Sequence, residues 1–321
     1  MSFAQQVIGW QRKHGRHDLP WQGTRDPYRI WLSEVMLQQT QVSAVIPYYE
    51  RFLSRYPTVE ALAAASEDEV LQLWSGLGYY ARGRNLHKAA AEITRHGFPK
   101  TAQAIAGLPG VGRSTAAAIA AFAYGERAAI LDGNAKRVLS RFFGIATGPE
   151  LWERAERVLP RQQIEAYTQG LMDLGATVCK RMPDCTPCPV KAACVARRTG
   201  RIAELPAPRV KKALPWRQAS WFVFVRQGRV LLERRASPGI WGGLWCFPEQ
   251  RPAGCRVKAK LPVIEHGFTH FKLRIRPLLC VGVTEKSGFW MDLHDAERAA
   301  IPTPVRNLLH ALAGNRHATR R

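Results

Sequence analysis

Acidic residues are the scarce class in this chain. Against 47 lysines and arginines stand 25 aspartates and glutamates, a formal charge of +22 over 321 residues. With so little negative charge to balance it, this basic surface calls for a polyanionic partner, nucleic acid ahead of membrane. Long apolar runs are missing as well, which excludes a bilayer-spanning helix. The opening residues, MSFAQQVIGWQRKHGRHDLPW, hold no signal-peptide core and read as a short amphipathic helix. These absences place the chain in a reducing cytoplasm, where its seven cysteines are metal ligands or free thiols. There is no internal repeat and no low-complexity tract. What is present, 46% apolar residues, suffices for two packed cores, and the length fits about two domains.

Apolar residues recur at three- and four-residue spacing over 30–37, 70–74, 115–122 and 171–178, predicting a helical domain over residues 1–198. Proline and basic residues then dominate RRTGRIAELPAPRVKKALPWR, so residues 199–217 read as a basic linker tracking over phosphates. Beyond it, 220–225 and 229–233 read as strands paired around Gln227-Gly228, with a further strand over 275–283. Residues 218–314 are therefore a smaller mixed α/β domain, and 315–321 a basic, mobile tail.

The stretch LPGVGRSTAAAIAAFAYGERAAILDGN (108–134) carries the most chemistry. A tight hairpin over LPGVG opens into an alanine-rich helix starting near Arg113 and stopping around Gly125. Gly110 and Gly112 can take positive φ and let backbone N–H groups approach an anion, to which the helix adds its positive end. That arrangement grips one phosphate without reading a base. A short apolar run then delivers Asp132, followed by Gly133 and Asn134. The plainer alternative is a helix-turn-helix corner with Asp132 as the N-cap of the next helix.

Glu34 is a second carboxylate of interest. On a helix it shares a face with Ile30 and Leu37. Desolvation there raises a carboxyl pKa, as a general acid near neutral pH requires. The alternative is a core carboxylate paired with an arginine. With Asp132 it makes a pair of acids held in opposite protonation states.

Cys179, Cys185, Cys188 and Cys194 are spaced C-x5-C-x2-C-x5-C. Four thiolates this close bind Zn²⁺ or a 4Fe-4S cluster. Only one C-x2-C pair exists, Cys179 ends a helix over 170–178, and the others sit on proline-containing loops, which favours a cluster wrapped by one loop over a two-knuckle zinc site. Lys180, Arg181, Lys191, Arg197 and Arg198 make the loop cationic and suited to DNA. Cys246, Cys255 and Cys280 are scattered and structural.

Taken together, LPWQ (19–22), WLSEVMLQQTQV (31–42), LWSGLGYYARGRNLHKAA (73–90), LPGVGRSTAAAI (108–119), LDGNAKRV (131–138), MDLGATVC (172–179) and the cysteine loop resemble the helix-hairpin-helix DNA glycosylases, most closely the MutY-type adenine DNA glycosylases. The resemblance implies a two-domain fold, an all-α glycosylase domain with a 4Fe-4S cluster loop (179–194) followed by an α/β Nudix-like domain. It implies an active site in a cleft between two helical subdomains and a monomer acting on double-stranded DNA. The substrate is then adenine opposite 8-oxoguanine, less favourably opposite guanine, and the location is nucleoid-associated.

The family's roles fall on residues present here. Glu34 would protonate adenine N7, and Asp132, ionised, would stabilise the oxocarbenium-like sugar or form a transient adduct, as paired carboxylates do in glycoside hydrolysis. Asn134 and Ser114 would orient groups around the site. Trp21, Gln22, Leu37 and Gln169 would line the pocket for the extruded base, while Gln39 and Tyr79 would wedge into the stack it leaves. The alternative for Tyr79-Tyr80 is core packing, which suits Tyr80.

Endonuclease III-type relatives read LPGVGRKTA, with a lysine that forms a Schiff base and cuts the strand; here Ser114 holds that position. A hydroxyl forms no imine, so efficient lyase chemistry is excluded. Two departures from the family stand out: the first cysteine gap is five residues where six is usual, and Phe268-Thr269-His270 replaces Phe-Ser-His. GIWGGLWCFP (239–248) resembles the segment before the Nudix catalytic box, but Glu249, Glu265, Glu285 and Glu297 are isolated, without a clustered Mg²⁺-binding helix. The domain therefore serves recognition, with Phe268, Thr269 and His270 reading 8-oxoguanine and with Trp241, Trp245 and Phe247 in the core. Two competing functions are an endonuclease III-type glycosylase-lyase on oxidised pyrimidines, disfavoured by Ser114 and by the extra domain, and a non-catalytic iron–sulfur DNA-binding protein, disfavoured by Glu34 with Asp132.

Overall fold

The computed structural model describes residues 1–208, 213–283 and 289–318. Lys211 and Lys212 of the basic linker, Glu285 and the last three residues of the tail lie outside these. Chain contacts divide the protein into two units, Met1–Ala64 with Asn85–Val210, and Ala65–Arg84 with Lys211–Arg321.

The first unit is helical because its sequence caps and buries helices well. Ser2 closes a capping box on the helix Phe3–His14. Asp26 caps Pro27–Leu37 with proline in the first turn, the position where its missing N–H costs nothing. The alanine-rich helix Arg113–Tyr124 buries Ala116, Ala117, Ala118, Ala120 and Ala121, and these small side chains let it pack against Pro27–Leu37. It ends on Gly125 in the left-handed conformation. Phe3, Val7, Trp10, Ile130, Leu139, Tyr167 and Leu174 share one core.

Two expectations about this unit change. The helix over 170–178 is Ile164–Asp173 continued by a π-turn, Leu174–Val178. Gly175 packs so tightly on Asn134 that a Cβ would meet its backbone Cα at 2.8 Å, and the Arg137 guanidinium takes the Gly175 carbonyl at 2.6 Å. The start of the basic linker is not loose either. Leu205 is buried, Arg141 Nε donates to its carbonyl at 2.9 Å, and Ala207 N donates to the Ala146 carbonyl.

The second unit is a seven-stranded sheet with two C-terminal helices. Its strands are β1 (Trp216–Arg226), β2 (Arg229–Arg234), β3 (Trp245–Cys246), β4 (Arg256–Lys260), β5 (Ile264–Gly267), β6 (Lys272–Val281) and β7 (Phe289–Asp292). The order is β3-β2-β1-β6-β4, with β5 also on β6 and β7 on β2. β1 and β6 run parallel from Trp216↔Lys272 to Phe224↔Cys280. The last helix, Thr303–Ala318, runs on into the segment expected to be a tail.

Residues 65–84, which helical periodicity alone groups with the N-terminal domain, make their contacts in this unit. Leu71 sits in one core with Trp221, Phe247, Ile275 and Leu309. Ser75 Oγ and Tyr80 Oη both donate to the Ile301 carbonyl, at 2.7 and 3.1 Å, so Tyr80 is a packing residue. No helix among the described residues is long and apolar enough to cross a membrane.

Candidate active site

The hairpin is built as its glycines allow. Gly110 has φ +78° and sits so close to Asn85 that a Cβ would meet it at 2.8 Å. Gly112 differs from expectation: it is extended, φ −89°, and caps Arg113–Tyr124 without a side-chain hydrogen bond. Nothing lies within 4 Å of where its Cβ would be, so glycine there leaves open space in front of the helix's first N–H groups. Gln38 Nε2, just past the Glu34 helix, donates to the Gly110 carbonyl at 3.2 Å and to Thr115 Oγ1 at 3.3 Å. The glycine hairpin and the Glu34-bearing helix are thereby tied together.

Asp132 takes the N-cap position the sequence allowed. It is the N-cap of Gly133–Phe143, with its carboxylate accepting from Ala135 N at 2.8 Å and Asn134 N at 3.2 Å. Capping fixes the carboxylate in place, and its charge still reaches Glu34. Ser114 Oγ accepts from Leu131 N at 2.9 Å, anchoring the run that delivers Asp132. Asn134 is held by Arg137, whose guanidinium also takes the Cys179 carbonyl at 2.5 Å and so links the Asp132 helix to the first cysteine.

Glu34 lies in the wall of a cavity of about 560 Å³, with Trp21, Gln22, Ile30, Phe122 and Gln169 around it. Burial first, and then the negative charge of Asp132, push its carboxyl up to about 8. No cation among the described residues contributes to that shift, so the paired-core alternative does not hold. Leu37, expected in this pocket, is not among the residues bordering it. At the far side Arg25 donates to Glu165 at 2.5 Å.

The four cysteines border one enclosed space walled by Val138, Leu174, Val178 and Val190. Among the described residues no three His, Cys, Asp or Glu converge as a single-ion site. Four thiols around one apolar-walled space are a donor set of the kind that holds zinc or an iron–sulfur cluster. Burial pushes the Cys188 thiol up to about 11, so a metal must displace its proton to bind. Buried Arg141 donates to Cys179 Sγ at 3.4 Å and to the Lys180 and Arg181 carbonyls, fixing the start of the loop. Lys180, Arg181, Lys191, Arg197 and Arg198 are all exposed.

Two residues expected to probe the base stack hold strained backbones. Gln39 has φ +57° and Tyr79 φ +50°, and both are exposed, Tyr79 to 47%. In the second unit, Phe268 to Phe271 form the tip between β5 and β6, closed by Phe268 N to the Phe271 carbonyl at 2.9 Å. The Phe268 and Phe271 rings stack at 4.5 Å beneath it, leaving Thr269 and His270 exposed. Trp241 and Phe247 are buried, while Trp245 is half-buried and donates to Asp68 at 3.4 Å. Glu233 and Glu249 both pair with Arg235, and Glu265 with Arg274. Cys246, Cys255 and Cys280 are buried.

Sequence reasoning missed the arginines that hold this site, Arg16, Arg137 and Arg141, and the buried Asp173. The LDGNAKRV and MDLGATVC motifs contain Arg137 and Asp173, but their long-range partners, Gly175 and Cys179 for Arg137 and Arg16 for Asp173, are distant in sequence.

A glycine hairpin opening into a helix N-terminus, a raised carboxyl in the wall of a cavity and a capping carboxylate that acts on it suit a helix-hairpin-helix base-excision glycosylase, and the second unit suits a Nudix-type domain. Comparison with known proteins agrees. Residues 32–161 match the family described as HhH-GPD superfamily base excision DNA repair protein, and residues 220–311 match the NUDIX domain. The chain is 36% identical to an adenine DNA glycosylase of Buchnera aphidicola subsp. Acyrthosiphon pisum (strain APS), over 98% of each chain. It is 31% identical to the adenine DNA glycosylase of Homo sapiens, over 99% of this chain and 75% of that one. The chain belongs to the adenine DNA glycosylase family. Among solved structures, a thermostable thymine-DNA glycosylase superposes with a TM-score of 0.57 at 30% identity, over 61% of this chain and 95% of its own. Endonuclease III in a non-covalent DNA complex shares the helical fold, with a TM-score of 0.53 at 22% identity over 63% of this chain and all of its own.

Proposed function

We propose that this enzyme excises adenine from mispairs with 8-oxoguanine, and less readily with guanine, by hydrolysing the N-glycosidic bond of an extruded nucleotide. The observation that carries the reading is Glu34, a protonated acid at neutral pH in the wall of the cavity, with the Asp132 carboxylate acting on it. With adenine in the cavity, Glu34 gives its proton to N7. The C1′–N9 bond breaks with its electron pair leaving on the base, and Asp132 stabilises the cationic sugar until water adds to C1′. Trp21, Gln22 and Gln169 hold the base, Gln39 and Tyr79 fill the gap in the stack, and the LPGVG hairpin grips the neighbouring phosphate. Cys179, Cys185, Cys188 and Cys194 hold a 4Fe-4S cluster whose part is structural, presenting the basic loop to DNA. The enzyme works as a monomer in the cytoplasm, at the nucleoid.

Ser114 makes the enzyme a pure glycosylase. Ser114→Lys is expected to gain strand-cleaving activity, read as a borohydride-trapped DNA adduct absent from the wild type. The lysine cannot accept from Leu131 N, so excision by the variant slows at the same time. Absence of the adduct from the variant, or its efficient formation by the wild type, would contradict this assignment.

The second unit supplies the reading of the oxidised base, through the Thr269–His270 tip. Deleting residues 218–321 is a poor test, because Leu71 and Ser75, which belong to the same unit, would lose their partners. Point changes at the exposed tip are cleaner. Thr269→Ala removes one hydroxyl hydrogen bond, about 1 kcal/mol, so the ratio of excision rates for the 8-oxoguanine and guanine mispairs should fall several-fold. His270→Ala should lower it further. Unchanged ratios at fixed salt would move the reading elsewhere.

A further inference from the structure

Three amide side chains, Gln11, Gln22 and Gln169, border the Glu34 cavity, and that of Gln22 is consumed by its own loop. Gln22 Oε1 accepts from Leu19 N at 3.1 Å, and its Nε2 donates to the Arg16 carbonyl at 3.0 Å. Gln169 is different. Its Nε2 donates to Asp173 Oδ1 at 2.9 Å, and among the described residues its Oε1 takes no hydrogen bond. Asp173, one turn further along the same helix, is fully buried. It also receives Arg16 N at 3.0 Å, Arg16 Nε at 2.7 Å and the Arg16 Nη2 at 2.6 Å.

This arrangement fixes which end of the Gln169 amide faces the cavity. A carboxylate paired with a guanidinium offers only acceptors, so its amide neighbour must turn the NH₂ toward it. The carbonyl oxygen is then the end left for a bound base. A fixed acceptor favours a purine bearing an amino group at C6 and opposes one bearing a carbonyl, which would leave two acceptors face to face.

We infer that Asp173 and Arg16 are positioning residues that set the base specificity of the cavity by locking the Gln169 amide with its oxygen inward. The inference rests on the reading of this cavity as the adenine site. It predicts that discrimination at C6 depends on a carboxylate that never touches the base.

The experiment measures single-turnover excision of adenine, of unsubstituted purine and of hypoxanthine, each opposite 8-oxoguanine. The wild type, Asp173→Asn, Gln169→Ala, and the double variant Asp173→Asn with Gln169→Glu are compared. The wild-type pattern across the three bases is the reference, which removes their different intrinsic reactivities. Asp173→Asn can present an N–H to Gln169 and release the lock, so the preference for adenine over purine and over hypoxanthine should fall about tenfold. In the double variant the residue-173 amide donates to the residue-169 carboxylate, whose other oxygen again faces the base. Discrimination should return toward wild type, which a merely structural Asp173 would not produce.

An unchanged preference in Asp173→Asn, with a changed one in Gln169→Ala, overturns the inference alone. The same holds if discrimination falls in Asp173→Asn but stays lost in the double variant. An unchanged preference in Gln169→Ala overturns the placement of adenine against this wall, and with it the reading on which the inference rests.

Discussion

Asp132→Asn abolishes adenine excision while duplex binding stays near the wild-type level. The substitution keeps the fold, because asparagine caps helices as well as aspartate and retains one oxygen for the Ala135 N–H. It removes the negative charge that, among the described residues, acts on Glu34 and that is proposed to face the developing sugar cation. Losing electrostatic stabilisation of that kind costs about 3–4 kcal/mol, two to three orders of magnitude or more in rate. The hold on phosphate proposed for Gly110, Gly112 and the first turn of Arg113–Tyr124 does not use the Asp132 carboxylate, which accepts from Asn134 N and Ala135 N. Single-turnover excision and equilibrium binding, measured on the same duplex, separate the two effects. Near-normal excision by the variant would remove Asp132 from the mechanism, and a large loss of binding would show that capping, rather than charge, was the contribution.

The pH profile of the wild type should be level through neutrality and fall above about 8, where Glu34 gives up its proton. Only the protonated form can donate to N7, so the rate drops roughly tenfold per pH unit beyond that point. Glu34→Gln has no proton to give and should lose about 10²- to 10⁴-fold, the usual contribution of a general acid, with the alkaline limb gone from whatever activity is left. Stability moves in a linked way. Between the ordinary carboxyl range and about 8 the folded state holds a proton that the unfolded state has released, so wild-type stability declines as pH rises through that window. The Glu34→Gln protein lacks this decline, and its Tm should gain on the wild type from pH 5 to 8. A wild-type rate that rises through pH 8 would assign Glu34 the role of a base.

Local signals in the chain reach far into this site. The glycines of LPGVG, the alanine run, Gly125 and the Asp132 cap act within a few residues of one another, so spacing alone places them. Glu34 was legible because a carboxyl between Ile30 and Leu37 on a helix must meet apolar surface. The family resemblance put Leu37 in the pocket, but Leu37 is not among the residues bordering the cavity, although it shares the Glu34 helix face. Gly112 shows another limit: the positive φ that its motif suggested is not adopted, and the space around it is open. Contacts between distant residues were out of reach. Arg16 and Asp173 are 157 positions apart, and although Asp173 lies in the MDLGATVC motif, nothing in that motif points to Arg16. Residues 65–84 carry an ordinary amphipathic pattern, which says that Leu71 is buried but not that Trp221 and Phe247 share its core.

The most direct test of the whole account is a duplex with adenine opposite 8-oxoguanine, treated with the enzyme and divided into portions with and without alkali. Removal of adenine without strand cleavage leaves an intact abasic strand that breaks only in alkali. The account predicts cleavage of the adenine strand in the alkali portion alone, and no borohydride-trapped adduct. Strand breakage without alkali, or an untouched adenine strand alongside excision of an oxidised pyrimidine, would contradict it.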